Sequence, residues 1–477
     1  MTLPTVGLPV TEVLAQLRAL RAADLPTHGG RTLAYVYDSG LDLDALAAEA
    51  HAMASSANAL DPTVFPSLLR LENEVVGAAA ALLGGGSQTV GSVTSGGTES
   101  CLLAVRTARA SRPDVAAPRM VLPATAHAAF HKAAHYFGVE PVVVPVSPTT
   151  FRADPDAMAA ALSERTVLVV ASAPSYAHGV VDPVTPIAAA AAARGIRCHV
   201  DACIGGWVLP YFRRLGVELP PFDLSVPGVT SLSVDLHKYA YCPKGTSVLL
   251  HADAGLRKPQ FFASAEWPGY TMLNSTMQST RSGGPLAAAW AVLRHVGDQG
   301  YAGLAARTLT AVRALRAGVE EIDGLRVLGD PVATLLAVST VDDAGFDVFT
   351  VADEMSQRKW YLQPQFAHGP SPANLHLTVT AATDGSVPTL LADLSDAVAA
   401  ARRAGPVRLP AELVAAVEEL DPAALTTESF AGLAAAAGLD GALPARMAQV
   451  NALLAVASPA LRERLLVEFL SAMYTPT

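Results

Sequence analysis

An α/β fold on a largely parallel sheet is what this sequence predicts, and three observations carry the prediction. Short apolar, β-branched runs alternate with alanine-rich stretches of helical spacing from Thr89 onward. Of the 477 residues 51% are apolar and only 16% charged, so burial can offset the entropy of ordering two to four domains, and disorder is excluded. The 36 Gly and 34 Pro are scattered without a period, which excludes a fibrous repeat.

Taken in order, TEVLAQLRALRAA near the N-terminus sets its apolar residues at helical spacing. PTHGGRTLAYVYDSG reads as a loop or arm, and Leu41 to Met53 as a helix. A further helix within DPTVFPSLLRLENEVVGAAAALLGG stops at the Gly84–Gly86 triplet, as C-cap glycines stop helices. Strand–helix pairs follow: TVGSVTS with ESCLLAVRTARAS, RMVLPAT with HAAFHKAAHYFG, VEPVVVPV with DPDAMAAALSE, and TVLVVASAP with TPIAAAAAARG. IRCHVDA, SLSVDLH and TSVLLHA complete the strands of this part. A long helical pattern beginning PLAAAWAVLRHVG then crosses into a smaller region where LRVLGD, TLLAVST and LHLTVTA are strand-like and LLADLSDAVAAARRAG is helical. From Pro406 the patterns are helical, broken by Pro and Gly. The expected division is an N-terminal helical arm at 1–72, a large α/β domain at 73–297, and a small α+β C-terminal domain with a helical tail at 298–477.

The formal net charge of −10 argues against a nucleic-acid partner, which needs a surplus of Lys and Arg. No run reaches the roughly 18 apolar residues of a spanning helix, so no integral membrane segment is expected. The richest run, Pro186 to Gly195, is short and mostly alanine. MTLPTVGLPVTEV lacks the charged start and apolar core of a signal peptide. Four cysteines, Cys101, Cys198, Cys203 and Cys242, have neither metal-ligand spacing nor the density of a disulfide scaffold, so no metal is expected and a reducing cytoplasm is.

Chemistry concentrates where strands end. Ser95-Gly96-Gly97-Thr98 joins a strand to a helix with glycines that allow close backbone approach and hydroxyls that donate, which is a phosphate cradle in physical terms and equally an ordinary strand–helix turn. His199-Val200-Asp201-Ala202-Cys203 ends an apolar strand with an acid, costly to bury without a cation or strong donors, or else a cap for the next helix. Lys238 follows His237 just past a third strand, a place where a solvated loop lysine is the default. Together the three supply what a carbonyl cofactor with a phosphate and a pyridine ring requires: an anion cradle, an acid for the ring nitrogen and a lysine for a Schiff base. His127 adds an imidazole that can lie over the ring.

SVTSGGTES, ATAHAAFHKAAHYFG, HGVVDPV, HVDACIGGWVLPYFRRLG and SVDLHKYAYCPKGTSVLL resemble the group II pyridoxal-phosphate decarboxylase superfamily, and within it the sphingosine-1-phosphate lyase family. WPGYTMLNSTMQSTRSGG, EMSQRKWYLQPQ, NLHLTVT and the closing ARMAQVNALLAVASPALRERLLVEFLSAMY match more loosely. The resemblance implies fold type I (aspartate aminotransferase-like) and a homodimer with shared active sites. It gives Lys238 the pyridoxal phosphate, Asp201 the pyridine nitrogen, and His127 and Cys203 the two ring faces. Gly96, Gly97 and Thr98 hold the phosphate with His237, Ser279 and Thr280 reach it from the partner chain, and Ser172 meets the ring hydroxyl or the substrate. Cys203 as plain core and His237 as a backbone-orienting residue are the bland alternatives.

For the substrate, the resemblance favours retro-aldol cleavage of a β-hydroxy amine, phosphorylated or not, to an aldehyde and an amine. Amino-acid decarboxylation is the alternative, and a non-catalytic scaffold the third reading. Tyr37, Tyr176, His178 and Lys244 match the family's substrate-pocket region, with Lys244 suited to an anion contact or a proton transfer, or else a surface lysine. Two departures bear on the headgroup. Asp61 stands where the family carries a histidine that helps with the substrate phosphate, and R-P-G has become Arg281-Ser282-Gly283. A carboxylate beside a phosphate costs several kcal/mol at moderate dielectric, so the headgroup is expected to differ: amine-bearing, neutral, or a carboxylate held by Arg281. The absence of an N-terminal membrane anchor weakens the case for a long-chain lipid.

Overall fold

In the computed structural model, which describes residues 3–436 and 444–475, the alternating pattern becomes two sheets. The first has seven strands: β1 (Val90–Thr94), β2 (Arg119–Pro123), β3 (Glu140–Val144), β4 (Thr166–Ser172), β5 (Arg197–Asp201), β6 (Ser231–Asp235) and β7 (Ser247–His251). Their order is β1-β7-β6-β5-β4-β2-β3. β7 is antiparallel to both β1 and β6, and every other pairing is parallel. The carboxyl ends of the other six strands therefore share one edge, where ligands bind in open α/β sheets.

Both faces of this sheet are covered, as a parallel sheet requires. Along β4, Val169 and Ala171 join one core with Val200, Leu232 and Val234, while Leu168 and Val170 join another with Met120, Leu122 and Phe130. That alternation is the period of two of a strand, and it explains why β4, buried throughout, reads as an unbroken apolar run. Helices 66–82, 184–192 and 205–214 pack on the first face, and 97–110 and 129–137 on the second.

The helix Gly283–Glu320 leaves this sheet and reaches the second. It is interrupted at Gly297, whose φ of 62° lies in the left-handed region that glycine adopts without steric cost. The second sheet, entirely antiparallel, is ordered β10 (Leu325–Val327), β11 (Leu335–Thr340), β13 (Asn374–Thr378), β12 (Gln363–Gln365). Its core joins Leu336, Val338, Leu375 and Leu377 to Val351, Met355, Leu390 and Leu394 from helices 348–357 and 387–404. A short hairpin, β8 (Phe262–Ser264) with β9 (Met272–Asn274), stands apart. β8, β9 and β12 were not expected from the sequence; each has three residues, too few to establish a period.

The C-terminal segment folds into helices 411–419, 427–436, 448–456 and 459–473. Asp353 ties it to the second sheet's helices by accepting from the Met447 and Ala448 amides. Residues 1–2, 437–443 and 476–477 of the expected arm and tail lie outside the described residues. Among the described residues no helix is long and apolar enough to cross a membrane.

Candidate active site

Five strands of the first sheet deliver side chains to one cavity of about 470 Å³. β1 ends at Ser95–Thr98, β2 leads to His127, β4 ends at Ser172, β5 at Asp201 with Cys203 beyond, and β6 at Asp235, followed by His237 and Lys238. Tyr176 and Lys244 complete the polar lining. Eleven residues expected at the site thus line one space: Gly96, Gly97, Thr98, His127, Ser172, Tyr176, Asp201, Cys203, His237, Lys238 and Lys244.

Lys238 is nearly buried and its Nζ lies 3.0 Å from an oxygen of Asp235. Burial on its own would depress the ammonium, but the Asp235 carboxylate holds it well above the ordinary lysine value. Asp235, in turn, has its burial cost outweighed by Lys238 and His237, so it stays below the usual carboxylate range. Its other oxygen accepts from Ser247 Oγ at 2.6 Å. A Cβ at position 97 would come within 2.7 Å of Asp235 and 2.9 Å of Cys203 Sγ, so Gly97 is what lets the cradle close down on this pair. Asp235 was passed over in the sequence reading: inside SVDLHK it looks like a residue closing a strand. The signal available was its position three residues before the lysine.

The cradle is the start of the helix Gly97–Ala110, whose first-turn amides lack intrahelical acceptors. Glu99 accepts from the Ser95 amide at 2.6 Å and from the Met277 amide at 2.8 Å, binding the 262–282 segment to the cradle. Behind Ser172, Asp182 is fully buried and accepts from the amides of Ala153 and Ser172; burial raises its pKa to about 6. The Ser172 hydroxyl is buried with no hydrogen-bond partner among the described residues. His237 is fixed through Nδ1 on the Thr246 carbonyl at 3.0 Å, and burial lowers its pKa. Lys244 donates to the Tyr35 carbonyl at 3.0 Å and sits 5.2 Å over the Tyr37 ring. Burial, then the Lys238 charge, lowers its pKa. Tyr37 does not line the cavity; it packs edge-on against Tyr239 and is buried, which raises its pKa.

His127 and Tyr176 meet edge to face at 6.3 Å and separate the first cavity from a second, of about 510 Å³. The second is lined by Val143, Val146, Phe151 and His178 from the first sheet's side and by Phe366 and His368 from the 363–371 strand and loop. His178 therefore faces this space and not the cofactor cradle. It stacks on Phe151 at 4.0 Å, bonds Ser371 Oγ at 3.0 Å, and is driven by burial to a pKa of about 4. The Tyr176 hydroxyl donates to Gln363 at 2.6 Å, and its ring stacks on His376 at 4.2 Å. Gln363 and His376, more than 180 positions along the chain, escaped sequence reading because no local motif joins them to Tyr176.

Ser279 and Thr280 do not line the cofactor cavity of their own chain; Ser279 lines a separate pocket beside Glu72, and Thr280 is exposed. Arg281, expected to be available to a carboxylate headgroup, is committed to Glu72 at 2.9 Å and to the Val93 carbonyl at 2.8 Å. Asp61 is exposed and accepts from the Thr63 amide and hydroxyl; that hydroxyl lowers its pKa.

These residues fit pyridoxal phosphate. The cradle offers free amides and a glycine that a Cβ would block, Asp201 and Lys238 open into the same space, and the unpartnered Ser172 hydroxyl lacks only a polar ligand. Residues 9–339 match the family described as the pyridoxal-dependent decarboxylase conserved domain, and residues 411–472 match "Pyridoxal-dependent enzyme, C-terminal putative HTH domain". Sphingosine-1-phosphate lyase of Oryza sativa subsp. japonica is 39% identical over 407 residues, 83% of this chain and 74% of that one. The solved sphingosine-1-phosphate lyase of Burkholderia pseudomallei aligns with a TM-score of 0.79 at 37% identity, over 85% of this chain and 94% of that chain. Glutamate decarboxylase of Lactobacillus brevis shares the fold, with a TM-score of 0.74 at 18% identity over 86% of this chain and 96% of that chain. A cradle, acid and lysine converging at the sheet edge, with lyases matching along most of the chain, make this protein a pyridoxal-phosphate-dependent lyase of the decarboxylase superfamily, in its sphingosine-1-phosphate lyase branch.

Proposed function

We propose that the protein cleaves a carbon–carbon bond in a β-hydroxy amine, releasing an aldehyde and a smaller amine. The observation that carries this reading is the buried Lys238–Asp235 pair, which opens into a cavity shared with Asp201 and flanked by a second, largely apolar one. When bound, pyridoxal phosphate supplies a conjugated acceptor for the electron pair of the bond that breaks. Lys238 would be the amine that holds it, Asp201 would keep the ring nitrogen protonated, the amides of Gly96–Thr98 with His237 would bind its phosphate, and His127 and Cys203 would contact the ring.

Asp235 acts on Lys238. It holds the free amine charged and fixed in place. Lys244, whose proton affinity is lowered by burial and by Lys238, is the group suited to exchanging a proton with the substrate hydroxyl or meeting an anionic headgroup. Tyr37 sets the position of Lys244 through its ring. The second cavity, with Tyr176 and His178 in its wall, takes the substrate's apolar arm; a lining of Val143, Val146, Phe151 and Phe366 suits alkyl chains.

The working unit is a homodimer in the cytoplasm. The helix Val10–Leu20 buries none of its residues, and Val10, Val13, Leu14 and Leu17 form an exposed apolar stripe. Trp267, Tyr270, Leu273 and Met277 are exposed on the segment that carries Ser279 and Thr280. Contacts of this kind favour a second copy that covers them and receives Ser279 and Thr280 at its phosphate cradle. The three-part division at residues 72 and 297 is retained as part of this reading. The segment 411–472 is read as a packing module and not as a nucleic-acid reader. It holds three arginines against eight carboxylates. Arg446 pairs with Glu354, Arg464 with Glu468, and Arg462 lies 4.4 Å over the Phe366 ring, behind the second cavity.

The test is product analysis with a panel of β-hydroxy amines, phosphorylated and not, and of L-amino acids. Aldehyde release is the expected outcome; CO2 from an amino acid with no aldehyde from any amine would replace this reading with decarboxylation. Mixing Lys238→Ala with Thr280→Ala protein tests the dimer, because shared sites restore part of the activity in the mixture and separate sites restore none.

A further inference from the structure

The cofactor cavity holds a cysteine, Cys101, to which the proposed lyase reaction gives no role, and it lies against two residues that have one. Cys101, early in the helix Gly97–Ala110, and Cys203, just past β5, come together although 102 positions separate them in the chain. Their sulfurs and a carboxylate oxygen of Asp201 all lie within 4.8 Å of one another. All three residues are buried, and all three line the cavity. Cys203 also donates to Ser233 Oγ at 3.2 Å, which fixes its rotamer.

Two thiols and a carboxylate are three of the four ligands of a tetrahedral site for a borderline-soft divalent ion, and a water can supply the fourth. At a metal–sulfur bond of about 2.3 Å, two sulfurs on one ion sit about 3.8 Å apart, which is compatible with sulfurs that lie within 4.8 Å of each other. The field suits a cation as well. Lys238 and Asp235 neutralise each other, which leaves Glu99 and Asp201 against Lys244 around the cavity. The sequence gives no hint of this, because metal motifs are recognised by short spacings.

We propose that in the cofactor-free protein Cys101, Cys203 and Asp201 bind one thiophilic divalent cation of the zinc and cadmium class, and that this cation and the cofactor exclude each other. Binding exchanges two S–H bonds for two metal–sulfur bonds and releases two protons to solvent, with no change of oxidation state. The exclusion rests on the reading of Asp201 as the cofactor's acid; the metal site itself does not.

The test uses full-length protein freed of cofactor and titrated with cadmium chloride. One equivalent should produce the ultraviolet thiolate-to-cadmium absorbance and release about two protons in weakly buffered solution. Cys101→Ser and Cys203→Ser should each weaken binding at least about tenfold, while Cys242→Ala leaves it unchanged. The proton count on unmodified protein decides the matter if a variant fails to fold. No absorbance and no proton release, or binding by either serine variant as tight as by the parent protein, would overturn the site. Pyridoxal phosphate loading, followed by its own visible absorbance, should weaken in proportion to cadmium. A cadmium site dependent on both cysteines with loading unaffected would overturn the exclusion and remove Asp201 from the cofactor, leaving the metal site standing.

Discussion

Two cavities meet at His127 and Tyr176, and they are built on opposite electrostatic terms. The first concentrates ions: Lys238 against Asp235, with Asp201, Glu99 and Lys244 in the same wall. The second holds, among the described residues, no carboxylate, ammonium or guanidinium in its lining. Its histidine at 178 and the neighbouring His376 are kept neutral by burial, at about 4 and about 3. The difference is what a reaction at a polar centre with an apolar arm requires. Charge in a water-poor space steers bond breaking, while a neutral wall lets alkyl surface replace water without leaving an ion unsolvated. The comparison predicts severe losses from substitutions on the charged side of Tyr176 and milder ones on the neutral side.

The largest effect is expected at Lys238. Lys238→Ala should lower turnover by more than about a thousandfold and abolish the borohydride-trappable cofactor, with circular dichroism unchanged. Retained turnover would take the lysine out of the chemistry. Asp235→Asn comes next. Removing one partner of a buried pair costs about 3–5 kcal/mol, so the thermal midpoint should fall. Lys238, no longer held charged, should lose its proton more readily, and the pH dependence of cofactor loading should move to lower pH. Loading with an unmoved pH profile would show that the ion pair is structural only.

The two cavities also differ in how far the sequence revealed them. The first was legible because each member sits at the end of its own strand, where an apolar run stops and a polar residue follows: Thr98, Asp201 and Lys238 each stand out from a local pattern. Asp235 was missed although it lies in the same short stretch, since an acid at a strand end has a bland explanation and only the 3.0 Å contact distinguishes it. The second cavity was nearly invisible. His127, Tyr176 and His178 in its wall were picked out, but Phe151, Phe366 and His368 come from a β–α connection and from beside a different sheet, and nothing local marks them as neighbours. Ser279 and Thr280, taken from the resemblance and not from any local pattern, lie outside the cavity that their own chain forms.

Tyr176 tests the partition itself. Tyr176→Phe removes the hydrogen bond to Gln363 but keeps the ring on His376 and His127; Tyr176→Ala removes both. A neutral hydrogen bond contributes about 0.5–1.5 kcal/mol, so the phenylalanine variant should lose about three- to tenfold in kcat/KM. The alanine variant should lose more, with KM rising most for substrates carrying a long apolar arm. Both should keep the cofactor absorbance, in contrast to Lys238→Ala. Equal losses for short and long amines would place the substrate arm elsewhere.

The last effect is on stability, not on turnover, and concerns His178. Its imidazole takes up a proton near 6.5 when unfolded and only near 4 when folded, because burial disfavours the charged ring. Between those values the unfolded chain binds the extra proton, so stability is full above about 6.5 and is lost as pH falls toward 4. From pH 7 to pH 5 this one group should cost about 2 kcal/mol. Denaturant midpoints at the two pH values measure it, and His178→Gln, which can keep the bond to Ser371 without titrating, should decline less steeply than the parent. An equal decline would mean that the acid sensitivity resides in other groups and that the second cavity admits a charged imidazole, against the neutral wall argued for it.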